Sequence, residues 1–374
     1  MPPIHVMLKP ASGLCNMRCK YCFYADEMNH RAVSSYGMMS AETLEIIVRK
    51  TLALAEGECT FGFQGGEPLL AGLDFFRTLT ALQKKYNTKG LKVSNALQTN
   101  GLLINEEWAA FFAENGFLLG VSLDGAQSLH DLYRRDDAGR GTFQRIMRGI
   151  ELLARYQVAY NVLTVVTAQT ARNIRDVYRF FARKGLRYQQ YIPCLDPLET
   201  ARGQNVYSLT PAQYGNFLMK LFDLWYDDVV HGRFIYIRYF ENLIGMMLGR
   251  CPESCGILGV CARQYIVEAD GSVYPCDFYM MDPYRLGNLV TDSFAQLDAR
   301  RETLRFVENS AVWPVRCRSC RWQALCRNGC YRDRVPAEHE AAPVNFFCEA
   351  YQTFFSYAAP RLETLCREIA GAER

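Results

Sequence analysis

Cys15-Asn-Met-Arg-Cys19-Lys-Tyr-Cys22 is the most informative segment of this chain, and it directly follows the apolar stretch from Ile4 to Leu8. Three thiolates at this C-x3-C-x2-C spacing hold one side of a four-iron cluster and leave the fourth iron open to a small-molecule ligand. The alternative is a zinc site, but zinc needs a fourth ligand, and the next residue of a suitable type is His30. The spacing therefore favours a reactive iron-sulfur cluster.

A glycine-rich turn follows the second apolar stretch. Gln64-Gly65-Gly66-Glu67-Pro68 comes directly after the segment from Cys59 to Phe63. Glycines at a strand end let the backbone approach a ligand closely, and Glu67 offsets an ammonium group. An ordinary turn between strand and helix is the simpler interpretation of this motif alone. Its order and distance after the cysteine triad favour ligand binding.

Eight further cysteines form a second group: Cys255, Cys261, Cys276, Cys317, Cys320, Cys326, Cys330 and Cys348. Eight thiolates suffice for two fully ligated four-iron clusters. Two zinc sites of four cysteines each are the alternative, since C-x2-C pairs are common in zinc ribbons. Spacing alone does not give the pairing. Of the remaining cysteines, Cys59 and Cys366 are predicted to be small buried apolar residues.

Composition limits the class of protein. The chain has 374 residues, 49% of them hydrophobic, and a net charge of +3, which predicts one large or two packed domains and no nucleic-acid partner. Fifteen cysteines in so long a chain do not indicate a secreted disulfide framework, and the first ten residues lack a signal-peptide pattern. No apolar run approaches the roughly 20 residues that span a bilayer. We therefore expect a cytoplasmic protein of a reducing, anaerobic cell, without membrane contact.

Strand-like and helix-like segments alternate in the first half. The strand-like segments are 4–8, 59–63, 91–97, 117–123, 159–166 and 187–192; the helical ones are 41–55, 74–86, 106–115, 143–156 and 174–184. Right-handed crossovers curl such units into an α/β partial (β/α)6 TIM-like barrel with function at the carboxyl ends of the strands. The motifs obey this rule, because the triad, Gly65 to Pro68, Gln98 to Gly101 and Ser122 to Gly125 each follow a strand. We expect this barrel over residues 1–232 and a cysteine-rich domain with a C-terminal helix over 233–374.

These motifs resemble the radical S-adenosylmethionine (radical SAM) superfamily, with Tyr21 at the aromatic position before the last cysteine of the triad. The downstream cysteines resemble the SPASM domain, which carries two auxiliary clusters in peptide-modifying radical enzymes. The resemblance implies S-adenosylmethionine and three [4Fe-4S] clusters as cofactors. Their ligands would be Cys15, Cys19 and Cys22 for the first, Cys255, Cys261, Cys276 and Cys330 for the second, and Cys317, Cys320, Cys326 and Cys348 for the third.

Over nearly its whole length the chain resembles the anaerobic sulfatase-maturating enzymes, notably in Lys9-Pro10-Ala11-Ser12 and Tyr274-Pro275-Cys276-Asp277-Phe278-Tyr279. That family oxidises a sulfatase Cys or Ser to Cα-formylglycine through a 5′-deoxyadenosyl radical that abstracts a Cβ hydrogen. The resemblance makes Asp277 the base that removes the thiol or hydroxyl proton. The implied partners are an unfolded sulfatase with a Cys/Ser-x-Pro-x-Arg segment and a low-potential donor such as ferredoxin or flavodoxin.

The resemblance also assigns binding residues. Contacts with S-adenosylmethionine are implied for Tyr21, Gly65, Gly66, Glu67, Ser122, Arg134 and Leu195. Arg134 would pair with the methionine carboxylate through its planar fork, and Leu195 would touch adenine through its backbone. Peptide contacts are implied for Tyr24, Gln64, Asn100 and Arg238. Each has a structural alternative, such as a turn, a cap or a solvated charge.

Two other functions stay open at this point. One is a different SPASM-type radical enzyme that makes a thioether or carbon-carbon crosslink; the other is a zinc-binding interaction protein without catalysis. The sequence alone does not identify the sulfatase, the choice between Cys and Ser, the electron donor or the oligomeric state.

Overall fold

A computed structural model describes residues 3–372. Its strands are β1 Ile4–Leu8, β2 Glu58–Phe63, β3 Lys92–Thr99, β4 Leu118–Ser122, β5 Ala159–Val166, β6 Tyr188–Pro193, β7 Tyr236–Ile237, β8 Tyr265–Val267, β9 Ser272–Tyr274, β10 Gly287–Asn288, β11 Arg334–Val335 and β12 Val344–Asn345.

The helices are α1 Phe23–Asn29, α2 Ala41–Leu54, α3 Leu73–Tyr86, α4 Glu106–Glu114, α5 Gln127–Tyr133, α6 Phe143–Arg155, α7 Ala168–Arg172, α8 Ile174–Arg183, α9 Pro211–Val230, α10 Arg238–Met247, α11 Phe294–Leu304, α12 Phe306–Ala311, α13 Val315–Arg318, α14 Gln323–Cys326 and α15 Cys348–Ala372. Within the described part of the chain, no helix has both the length and the apolar character needed to cross a membrane.

The chain divides into two compact units. The first comprises Met1–Leu123, His130–Asn161 and Arg263–Arg305; the second comprises Asp124–Leu129, Val162–Ala262 and Phe306–Arg374. Neither unit is continuous in sequence, so each is built from separate stretches of the chain. The division at residue 232 that we predicted from the cysteine pattern stays a prediction.

Parallel strands form the centre of the first unit. Strands β1, β2, β3 and β4 pair side by side in parallel, and β8 adds to the other edge of β1, also in parallel, with Val6 opposite Tyr265. The antiparallel β9 and β10 extend that edge. Helices cover the sheet with aromatic side chains: Phe76 of α3 packs against Phe63 of β2, and Trp108 of α4 packs against Phe76. The carboxyl ends of β1 to β4 therefore lie along one edge.

In the second unit, β5, β6 and β7 are parallel neighbours. Helix α9 begins with a capping box, in which the Thr210 side chain accepts from the backbone of Gln213 and the Gln213 side chain accepts from the backbone of Thr210. Aromatic contacts such as Phe222 with Phe354 pack α9 against α15. Short helices and loops carry most of the cysteines of this unit.

The predicted elements agree closely with the structure. Strands β1 and β5 have the predicted bounds, and the other four predicted strands differ by one or two residues at their ends. The five predicted helices are present as α2, α3, α4, α6 and α8. Ser40 and Asn105 explain two of these starts, because their side chains accept hydrogen bonds from the first turns of α2 and α4. Cys59 and Cys366 are buried, as predicted.

Candidate active site

The cysteine triad lies in the loop between β1 and α1. The Cys15 Sγ accepts hydrogen bonds from the Met17 backbone N at 3.4 Å and from Asn100 Nδ2 at 3.8 Å. Arg134 donates to the Cys19 Sγ at 3.9 Å. Such donors favour the thiolate form, but burial and the nearby Glu67 and Cys22 charges outweigh them and raise the pKa of the Cys15 thiol to about 11. The three thiolates therefore fit an iron-sulfur cluster, because its positively charged irons would compensate the buried negative charge of the thiolates.

The glycine turn after β2 packs directly on this cysteine loop. The backbone N of Gly66 donates to the Ser12 carbonyl at 2.9 Å, and that of Glu67 donates to the Leu14 carbonyl at 2.8 Å. A Cβ added at Gly66 would lie 2.0 Å from the Leu14 carbonyl oxygen. Gly65 has φ +134° and is similarly crowded by the Ser12 carbonyl. The glycines therefore allow one backbone to approach another, in addition to any contact with a ligand.

We expect Gly66→Ala to disrupt the cluster loop. Because the nearest atoms belong to backbone, they cannot rotate away, and the cost is about 3 kcal/mol. The measurements are iron content after anaerobic reconstitution and thermal unfolding. Gly245→Ala in α10 is the matched control, since its added methyl would meet only the Arg250 Cβ at 3.8 Å. A Gly66→Ala protein with wild-type iron content and melting temperature would contradict this packing argument.

Glu67 is fully buried at the carboxyl ends of β2 and β3. Its Oε1 accepts from the Leu69 backbone at 3.0 Å and the Thr99 hydroxyl at 2.8 Å, and its Oε2 accepts from the Asn100 backbone at 2.7 Å. Burial raises the pKa of this carboxyl to about 7. Glu67 therefore joins the two loops that flank the triad. Its predicted contact with an ammonium group stays a prediction.

Three predicted cofactor residues lie near the triad or at the end of β4: Tyr21, Arg134 and Ser122. The Arg134 guanidinium lies 5.3 Å from the centre of the Tyr21 ring, next to Cys19. Ser122, at the end of β4, accepts a hydrogen bond from Gln98 at 3.2 Å. Both Arg134 and Ser122 are buried. The structure thus brings a planar cation to the triad, where a carboxylate ligand is predicted to bind.

Asp277 forms an ion pair with Lys9, a residue 268 positions earlier in the chain. Lys9 follows β1 directly, and its side chain is completely buried. Its ammonium also lies 4.5 Å from the centre of the Tyr24 ring. The carboxylate predicted to act as the base is therefore held by a buried cation at the end of the strand that leads into the triad.

Tyr24 extends this buried network. Its hydroxyl donates to Glu268 Oε1 at 2.6 Å, and Arg31 donates to the same oxygen at 2.7 Å. Burial, with the nearby Glu268 charge, raises the pKa of Tyr24 well above its usual value. Only 2% of Tyr24 is exposed, which leaves little of the residue for contact with a peptide. The predicted peptide contact of Tyr24 stays a prediction.

The other predicted contacts are distributed over both units. Gln64 is half-buried after β2, and Asn100 Nδ2 donates to Asn16 Oδ1 at 2.7 Å as well as to Cys15. In the second unit, Leu195 is half-buried after β6, and Arg238 donates to Gln190 at 3.3 Å. The structure therefore gives Asn100 a role in orienting the Cys15 loop. The peptide and adenine contacts stay predictions.

Four predicted cluster ligands of the second unit face one pocket: Cys317, Cys320, Cys326 and Cys348. Trp322, Tyr351 and Phe355 provide its apolar wall. Burial and the neighbouring thiols raise the pKa of Cys317 to about 11 and that of Cys326 to about 12. One pocket thus brings together the four cysteines that the resemblance groups, and their role as cluster ligands stays a prediction.

Three members of the other predicted set are also close enough to interact. Burial and the Asp333 charge raise the pKa of Cys330, and the charges of Cys255 and Cys261 add smaller contributions in the same direction. The fourth member, Cys276, belongs to the first unit, where its Sγ accepts from the Phe278 backbone at 3.5 Å. Among the described residues, no three His, Cys, Asp or Glu side chains lie close enough together to hold a single metal ion. Bridging sulfides hold the irons of a cluster apart, so its thiolates stand wider than those of zinc.

Arg334 organises the loops around Cys255, Cys261 and Cys330, and sequence reasoning missed it. It is buried, and its guanidinium donates to the backbone carbonyls of Ser310, Asn328, Gly259 and Gly329 at 2.6 to 3.1 Å. One planar cation thus satisfies carbonyls of two loops and of the last turn of α12. Its only sequence signal was a position four residues after Cys330.

Lys9 was also missed as a functional residue, although its motif was noted. Lys9 begins the Lys-Pro-Ala-Ser motif directly after a buried apolar strand. A lysine there places a positive charge at the carboxyl ends of the parallel strands, where functional residues lie. That position was the available signal. Nothing local connects it to Asp277.

The chain matches the family model of the radical SAM superfamily over residues 10–181 and that of the SPASM iron-sulfur cluster-binding domain over residues 255–321. It is 45% identical to a cysteine-type anaerobic sulfatase-maturating enzyme of Clostridium novyi, over 99% of each chain. A serine-type enzyme of Bacteroides thetaiotaomicron is 31% identical over 99% of this chain and 93% of its own. The solved structure of native anSMEcpe with bound AdoMet and Kp18Cys peptide has a TM-score of 0.93 at 45% identity, covering 98% of this chain and 100% of that chain.

Proposed function

The chain belongs to the anaerobic sulfatase-maturating enzymes of the radical SAM superfamily, and from this premise we propose that it oxidises a cysteine of a sulfatase to Cα-formylglycine. The preference for cysteine over serine rests on the higher identity to the cysteine-type relative, 45% against 31%. The family, the α/β fold with a SPASM domain and the enzyme class that we predicted from the sequence are confirmed.

The predicted cofactor types are confirmed as well, since the two matched families use S-adenosylmethionine and iron-sulfur clusters. This excludes the zinc alternatives. When bound, the first cluster and S-adenosylmethionine supply the carbon-centred radical that removes a hydrogen from Cβ of the target, and the auxiliary clusters supply an acceptor for the second electron. We assign the three clusters to the three cysteine sets named above.

The chain's own residues bind the first cluster and S-adenosylmethionine and orient them. Cys15, Cys19 and Cys22 hold the first cluster, and Asn100 keeps the Cys15 loop in place through its hydrogen bonds. Arg134 offers its guanidinium to the methionine carboxylate from a position beside Cys19. The half-buried backbone of Gly65 and Gly66 lies against the same loop, and its carbonyls would accept hydrogen bonds from the amino group.

Asp277 accepts the proton of the target thiol. The observation that carries this proposal is the ion pair between Asp277 and the buried Lys9, in the same unit as the triad. Lys9 fixes the carboxylate in one orientation, because the Tyr24 ring confines the ammonium from another side. Loss of a Cβ hydrogen, one proton and one electron leaves a thioaldehyde, which water converts to the aldehyde and hydrogen sulfide.

The partners follow from this chemistry. The substrate is an unfolded sulfatase segment of the form Cys-x-Pro-x-Arg, and a low-potential carrier such as ferredoxin or flavodoxin delivers the first electron. Clusters with an open iron are destroyed by oxygen, so we place the protein in the cytoplasm of an anaerobic cell.

A pair of peptides that differ only in Cys or Ser at the target position tests this proposal. Each is incubated anaerobically with the reconstituted protein, S-adenosylmethionine and dithionite, and the products are followed by mass spectrometry. We expect the cysteine peptide to lose sulfur and gain an aldehyde faster than the serine peptide reacts. A faster serine reaction would reverse the target assignment, and a crosslinked peptide without aldehyde would favour the crosslinking alternative.

A further inference from the structure

Arginines surround the pocket of the third cysteine set. Residues 309–332 contain five arginines and no aspartate or glutamate. Arg316 and Arg327 line the pocket itself, and Arg318 and Arg321 each adjoin one of its cysteines in sequence. We call these four residues the arginine collar.

The collar is accessible and partly fixed in position. Half of the Arg316 side chain is exposed, and Arg318 and Arg321 are exposed. The Arg321 guanidinium lies 4.5 Å from the centre of the Trp322 ring, and Trp322 lines the pocket. Holding a cation against a ring reduces the entropy lost when a partner binds.

The collar stays positive after its neighbouring acids are counted. Glu340 pairs with Arg316 at 2.9 Å, and the exposed Glu349 follows Cys348. Two negative charges therefore oppose four positive ones. The positive charge of the collar is concentrated in one short segment, residues 316–327, although the net charge of the whole chain is only +3.

We propose that the arginine collar is the docking surface for an acidic one-electron carrier protein. This inference rests on the proposed function, which releases one electron per turnover. On docking, one electron passes from the site of Cys317, Cys320, Cys326 and Cys348 to the oxidised carrier, which becomes reduced; no bond forms or breaks. Electron transfer weakens steeply with distance, so a carrier must dock beside the pocket.

Charge and surface size favour an acidic carrier protein over a peptide or a nucleic acid as the partner. Redox complexes are small and short-lived and depend on charge steering, which a compact cationic rim supplies. The Cys-x-Pro-x-Arg target carries a positive charge of its own, so the collar repels it. Nucleic acid requires a larger basic surface than four arginines offset by two glutamates.

Calorimetry with the iron-loaded protein tests the proposal. Two probes are used, an oxidised acidic flavodoxin and an oxidised plant-type ferredoxin, and the binding of each is measured at low and at high salt. Arg318→Glu/Arg321→Glu should weaken binding by about tenfold or more at low salt, and less at high salt. Arg175→Glu/Arg179→Glu, on exposed positions of α8, makes the same change in net charge and should leave binding unchanged. Basic cytochrome c should not bind the wild type.

Two further measurements keep the outcomes distinct. Iron content must equal that of the wild type in both variants, and aldehyde formation with dithionite should be unaffected, because dithionite needs no docking. Unchanged carrier binding in Arg318→Glu/Arg321→Glu, or no binding of either acidic carrier to the wild type, overturns the proposal. A loss of peptide or oligonucleotide binding instead of carrier binding also overturns it. Failure of the wild type to form aldehyde would contradict the proposed function and leave the docking result valid.

Discussion

Replacing Cys15, Cys19 and Cys22 together by alanine is expected to abolish cleavage of S-adenosylmethionine. The variant has no ligand for the first cluster, whereas the cysteines assigned to the other two clusters are untouched. Iron should fall by about a third, one four-iron cluster of three. The measurements are iron and sulfide counts and the yield of 5′-deoxyadenosine.

The matched control is Cys59→Ala/Cys366→Ala. Both thiols are buried and belong to none of the assigned sets. This variant should lose about 1 kcal/mol per site and keep its iron and its cleavage activity. Persistent 5′-deoxyadenosine formation in the triple variant would refute the assignment of the triad.

Asp277→Asn is expected to uncouple the reaction. The amide keeps the shape of the side chain and can accept a hydrogen bond from Lys9, but it cannot take up the thiol proton. The variant should therefore form 5′-deoxyadenosine and little aldehyde. The measurement is the ratio of the two products. Asp282→Asn, at an exposed position five residues later, is the control and should keep the wild-type ratio.

Stability must be separated from chemistry in this experiment. Breaking a buried ion pair leaves one charge uncompensated and costs about 3–5 kcal/mol. In Lys9→Met/Asp277→Leu both charges are absent, so we expect the melting temperature to rise relative to the single variant Lys9→Met. Coupling should stay lost. Recovery of wild-type coupling in the double variant would show that Asp277 merely neutralises Lys9.

The parallel strands were predictable because their signal is local. The apolar stretches at β1 and β5 have a strand's length, and β1 is bounded by Pro3 and Lys9. The motifs were identified from their residue types and spacing, and their positions agree with the rule that function lies at the carboxyl ends of parallel strands. Their resemblance to known motifs indicated the family.

Several of the remaining elements were out of reach because their signals are short or distant. Strands β8 and β9 have three residues each, too few for a period, and β8 is recognisable only through its pairing with β1. Helix α1 is likewise short and follows a metal-site loop. The ion pair between Lys9 and Asp277 joins residues 268 positions apart. No single sequence carries that information.

The glycine turn shows that a motif predicted to bind a ligand can also have a structural cause. We predicted that Gly65 and Gly66 admit a ligand, and the structure adds that they admit the backbone of Ser12 and Leu14. Glu67 similarly joins two loops through three hydrogen bonds. A motif of this kind therefore preserves the shape of the site as well as any contact with the cofactor.

A peptide that carries deuterium on Cβ of the target cysteine tests the central claim most directly. The wild-type protein is incubated anaerobically with this peptide, S-adenosylmethionine and dithionite, and both products are analysed by mass spectrometry. We predict that 5′-deoxyadenosine gains one deuterium for each aldehyde formed. Aldehyde formation with unlabelled 5′-deoxyadenosine would show that the hydrogen leaves by another route and would contradict the account.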